Sequence, residues 1–117
     1  MSRAIGGVIV LAMLSATTTA QSTLRIHVWP TLTQAPATVR IEVLLEPDEK
    51  HRWLEIVVDS GDYYRSSMIE LDGAGAVRFH SVQYRSMPAG TYDVHVTVRG
   101  AGGAMIAFDR RWVDVTS

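Results

Sequence analysis

The stretch Met87–Val98, MPAGTYDVHVTV, decides the reading of the whole chain. It opens on a Pro and a Gly and then alternates. Tyr92, Val94, Val96 and Val98 fall on one side, and Asp93, His95 and Thr97 on the other. A period of two residues with one apolar side is the pattern of a half-buried β-strand. Pro88 fixes φ and Gly90 accepts φ > 0, so a tight turn delivers Tyr92 to the first inward position of that strand. Met87 is expected to plug the core beneath the turn. A Tyr suits its place because its ring buries apolar area while its hydroxyl can satisfy a backbone group that the turn leaves unpaired.

Worked outward, the same period recurs along almost the whole chain, with no 3.6-residue stripe. Leu24, Ile26 and Val28 alternate with Arg25, His27 and Trp29 before Pro30 interrupts the ladder. Val39, Ile41, Val43 and Leu45 form the next inward set, followed by Leu54, Ile56 and Val58. MIEL is a short strand at best, and Asp72–Gly75 (DGAG) is a strong turn. Val77 and Phe79 then give way to Val82 and Tyr84, a parity slip near Ser81 that a β-bulge would produce. Gly100–Gly103 reads as a hairpin turn. The final strand changes parity between Phe108 and Val113, which places a second bulge near Asp109–Arg111.

The count is seven short strands in one all-β domain, built as a seven-stranded sandwich of two antiparallel sheets. The corner at Met87, Pro88, Gly90 and Tyr92 resembles the tyrosine corner of immunoglobulin-like and fibronectin type III-like sandwiches, in a bacterial-style, disulfide-free form. The resemblance spans most of residues 23–116 by strand count and the Tyr92 region by motif. It departs from antibody-type domains at Val94, where a Cys would follow the corner Tyr, and at Trp53, which lies on the parity opposite to the core. It implies a fold and names no function.

Residues 1–20 read as a secretory signal peptide. Arg3 precedes an apolar run from Ala4 to Leu14, and Thr18 and Ala20 are the small residues a signal peptidase requires. The run falls short of the roughly 20 apolar residues that span a bilayer. The domain proper is then 21–117, exported by the general secretory route to the periplasm or beyond. The whole chain carries a net charge of −1, and loss of Arg3 makes it one unit more negative, so charge offers no case for nucleic acid or an anionic membrane. With no Cys, disulfides, zinc–thiolate sites and thiol chemistry are excluded, and packing must carry the stability.

Catalytic chemistry is not visible in the pattern. His27, His51, His80 and His95 lack the local spacing of a preorganised metal site. Asp59 and Asp62 share a loop but lack the dense oxygen pattern of a calcium loop, and turn capping accounts for them. Neither Ser66 nor Ser67 sits in a nucleophile elbow. The expectation is therefore a non-enzyme without cofactor, an accessory or assembly component acting through contacts with a protein partner. Tyr63, Tyr64, Arg65, Ser66 and Ser67 are the candidate partner-binding residues, since Tyr and Arg are enriched at binding hot spots. A carbohydrate-binding module is the alternative if two of Trp29, Trp53, Tyr63, Tyr64, Tyr84 and Trp112 form a coplanar pair. A metal carrier is the second alternative if His and carboxylate side chains converge.

Overall fold

A computed structural model describes residues 24–117. The expected signal peptide lies outside the described residues. The described residues are all-β, with eight strands among them: β1 Leu24–Trp29, β2 Leu32–Gln34, β3 Ala37–Leu45, β4 Trp53–Asp59, β5 Tyr64–Glu70, β6 Phe79–Met87, β7 Gly90–Arg99 and β8 Met105–Thr116. They form two sheets, one of three strands in the order β1-β3-β6 and one of five in the order β2-β8-β7-β4-β5.

The layers follow from the alternation. Ile26, Val28, Val39, Ile41 and Val43 point inward from the small sheet, and Leu54, Ile56, Val58, Val94, Val96 and Val98 from the large one, into a single core. Fully burying such a side chain is worth roughly 1.5–3 kcal/mol, which lets packing substitute for disulfides here. The chain passes from Trp29 through Pro30 and Thr31 into β2 and so crosses from one sheet to the other. Backbone bonds from Ala35 to Thr116 (2.7 Å) and from Asp114 to Thr31 (2.8 Å) fasten the crossing.

The expected seven strands become eight, because β2 is three residues long with no residue deeply buried, too short to leave a periodic signal. The sheets are not both purely antiparallel either, since β2 lies parallel to β8. The bulges also move. The β3–β6 register is unbroken from Leu44↔Phe79 to Val39↔Tyr84 and shifts only beyond Tyr84, where Ser86 adopts φ 57°. Phe79 faces outward, so no slip occurs at Ser81. In β8 the register runs unbroken from Val115 to Ala107 and shifts between Val98 and Arg99. Asp109 and Arg111 take core-side parity, and Phe108 points outward.

The corner at the head of β7 is built from local bonds. Met87 and Tyr92 are wholly buried, and the Tyr92 hydroxyl donates to the Pro88 carbonyl at 2.7 Å. Gly90 is approached by the Ser60 side chain, whose Cβ would lie 3.2 Å from any Cβ at that position.

Candidate functional site

Register and alternation together define the outer face of the large sheet. Tyr64 of β5, Asp59 of β4, Asp93 of β7 and Trp112 of β8 form one row across it. Ser66, Val57, His95 and Arg110 form the next, then Met68, Glu55, Thr97 and Phe108. Glu70, Trp53 and Arg99 begin a fourth, which ends at Met105. Trp53 is 40% exposed, Phe108 45%, Trp112 56%, and Tyr64 and Met68 57% each. Beneath these large side chains Val57 and Thr97 are almost completely buried although they face outward. A dry floor under half-exposed aromatics is the anatomy of a contact surface.

A cluster of side-chain contacts on this face lies on the β7–β8 hairpin. Arg110 spans Asp93 with two bonds, Nε to Oδ1 at 3.0 Å and Nη2 to Oδ2 at 3.2 Å. The fork holds the guanidinium flat, 5.6 Å from the Phe108 ring centre and 5.7 Å from that of Trp112. The His95 ring stacks against Phe108 at 5.8 Å. Its Nδ1 lies 3.6 Å from Asp93 Oδ2, beyond hydrogen-bond reach, and has no other partner among the described residues. Carboxylate, guanidinium, imidazole and two rings thus converge with one polar atom unsatisfied.

The sequence candidates at 63–67 divide between the two faces of β5. Tyr64 and Ser66 project outward into the rows above. Tyr63, Arg65 and Ser67 project toward the flank between the sheets. There Arg65 lies 5.2 Å over the Tyr63 ring, and Tyr63 meets Tyr92 edge-on at 5.8 Å. Ser67 Oγ and the Tyr84 hydroxyl are 2.6 Å apart, joining the two sheets. Burial raises the Tyr84 and Tyr92 phenols above their ordinary value; the Ser67 bond lowers Tyr84 by less. Phe108, Arg110 and Met68 were not among the sequence candidates. Reading β8 as one unbroken alternation would have placed Phe108, Arg110 and Trp112 together.

Metal binding can be tested against the donors. Every His, Asp and Glu of the chain falls within the described residues. Among them no three gather into a group that could hold a metal ion. His27 faces out from the small sheet, His95 from the large one, His80 bonds the Val77 carbonyl at 3.1 Å, and His51 is buried in the β3–β4 loop. Asp59 caps its own turn, accepting from the Gly61 amide at 2.8 Å. These residues do not fit a metal centre.

A sugar platform requires a coplanar aromatic pair, and the tryptophans do not supply one. Trp53 and Trp112 share the outer face but stand at opposite ends, about 20 Å apart along the strands. Tyr64 is three strands from Trp112, roughly 14 Å. Trp29 lies on the other sheet.

No protein-family model matches the sequence, and no curated protein matches it. Among solved structures, the chain is similar to a superoxide reductase (neelaredoxin) from Ignicoccus hospitalis, with a TM-score of 0.60 at 15% identity over 80% of each chain. Two variants of that protein align with a TM-score of 0.59 at 14% identity over the same shares. Likeness at this identity establishes a shared fold. It corrects the resemblance to the immunoglobulin-like and fibronectin type III-like superfamily: the fold is one this chain shares with that superoxide reductase. Strand count, Gly–Pro turns and a corner Tyr belong to two-sheet β domains in general and do not separate such families. The expectations of a non-enzyme and of a non-catalytic immunoglobulin-like module are overturned with it, and the likeness of fold lends no support to protein binding as the chain's role. The proteins named above are superoxide reductases, so the shared fold gives no ground for excluding catalysis.

Proposed function

We propose that the outer face of the five-stranded sheet is a contact surface that a protein partner can cover, a role that leaves catalysis by this chain open. One observation carries the reading: Trp53, Tyr64, Met68, Phe108 and Trp112 stand 40–57% exposed on a single face over a buried floor. The reading rests on this surface and not on the fold. Trp, Tyr and Arg are the residues that dominate binding energy when a partner excludes water from them. Arg110, already fixed by Asp93, loses little side-chain entropy on binding. Opposite charges are interspersed with the aromatics, which suits a protein surface with an apolar centre and a polar rim. Superoxide chemistry is not carried over, because the donors of this chain do not fit a metal centre. The sequence of residues 1–20 supports export, so the partner belongs to the cell envelope or the exterior.

The test is affinity capture from an envelope extract, with two variants. Phe108→Ala/Trp112→Ala should lose a protein that the wild type captures. Leu44→Ala/Phe79→Ala, which strips exposed apolar residues from the other sheet, should retain it. Equal capture by wild type and the first variant would remove the face from the proposal. Retention on polysaccharide with no protein captured would reassign the face to carbohydrate.

A further inference from the structure

The two flanks of the sandwich differ. On one, the crossing from β1 to β2 closes the gap between the sheets, and the uncovered length of β8 carries Asp109, Arg110 and Arg111. The other flank is formed by β5 and β6, each paired on one side only. β6 is kinked by its bulge and by the positive φ of Ser86. β5 has neither a bulge nor a backbone kink, and its one flank-facing charge, Arg65, is drawn back over the Tyr63 ring. Its seven residues pair with β4 without a register shift, and YRSSMIE contains no Pro, Gly or Lys. Exposed edges are ordinarily blunted by bulges, Pro or Lys, because a regular unpaired edge is a template for another strand.

The geometry points to a second copy of this chain as the occupant, its β5 added antiparallel to this β5 about a two-fold axis at Ser67. The strand is self-complementary in that register. Ser67 faces Ser67 of the other copy, and two small hydroxyl side chains fit a direct cross-strand position. Tyr64 faces Glu70, so a phenol meets a carboxylate. Ser66 faces Met68, and Arg65 faces Ile69. The single cation and single anion of the strand are never set against their own kind. Side chains keep their faces across such a junction, because directly opposed antiparallel residues lie on the same side. The two large sheets become one of ten strands, presenting two copies of the outer face. This inference is independent of the partner proposed above, since it concerns the edge of the sheet and is read with the purified protein alone.

Sedimentation over a concentration series tests it. The protein should run at twice the mass of one chain when concentrated and shift toward one chain on dilution. Ser66→Lys/Met68→Lys should run as one chain throughout, because each Lys then faces a Lys; both positions are exposed, and an unchanged circular dichroism spectrum would confirm the fold. Trp112→Ala should still dimerise. A Ser67→Cys chain, with oxidised glutathione as oxidant, should form a covalent dimer that a Phe79→Cys chain does not. A single-chain mass at every concentration overturns the inference. So does a dimer that survives the double Lys variant, or one abolished by Trp112→Ala, or Ser67→Cys cross-linking no faster than Phe79→Cys.

Discussion

Tyr92 shows what one side chain does at the head of a strand. Its ring is wholly inside, and its hydroxyl occupies the Pro88 carbonyl, a group the turn would otherwise leave unpaired. Tyr92→Phe should cost about 1 kcal/mol, the net worth of one hydrogen bond, rising toward 3 if the carbonyl finds no water. Urea denaturation would measure it, with an unchanged m-value as the sign that the fold persists. The same residue gives a pH dependence. Burial raises the Tyr84 and Tyr92 phenols above 10.0 in the folded protein. Above pH 10 the unfolded chain therefore releases phenol protons that the folded chain keeps. It binds fewer protons, so stability falls as pH rises. Stability from this source is complete below pH 10 and lost as pH passes through the raised folded values. Thermal unfolding at increasing alkaline pH should show the fall, shallower in Tyr92→Phe.

At the scale of elements, the β7–β8 hairpin explains both what could be read and what could not. The inward sets Leu54, Ile56, Val58 and Val94, Val96, Val98 were legible because both strands lie inside the large sheet, with the small sheet over one face. β8 was misread because its core-side positions include Asp109 and Arg111. Near the margin of a sheet, inward parity no longer requires an apolar residue. Sequence alone does not say which strand is marginal, so Phe108 was lost from the candidate face although Trp112 was in view. β5 was obscured for the same reason, since of its inward positions Ser67 and Ile69 are only half buried and Arg65 is exposed. The register shift at Arg99 adjoins Gly100. A Cβ there would lie 2.9 Å from Ile106 Cδ1 and 3.0 Å from the Lys50 carbonyl oxygen. Gly100→Ala should destabilise the protein by about 1–3 kcal/mol through overpacking. Adding Ile106→Val should recover only part of the loss, because the carbonyl contact remains. Denaturant midpoints of the three chains would decide it.

For the whole molecule, scaffold and chemistry separate. The solved structures of similar fold named above are superoxide reductases, while this chain spreads its four His over both sheets and a loop. Purified protein equilibrated with iron or zinc and then desalted should retain no stoichiometric metal by elemental analysis; one tightly held equivalent per chain would show a donor set assembled on binding. The all-β character and two-layer core were legible because they depend on a period of two residues, which any window of sequence displays. Which family of two-layer folds, and which face lies bare, depend on how distant strands are ordered, and no local window carries that. The β2–β8 pairing is the extreme case. Its bond from Thr116 Oγ1 to the Thr33 carbonyl joins positions 83 apart. Closing so long a loop requires most of the domain to be in hand first. Until β8 arrives, β7 has one open side and β2 has no sheet to join. The clasp that holds the two layers together is therefore among the last contacts a growing or refolding chain can make, and weakening it should speed unfolding more than it slows folding.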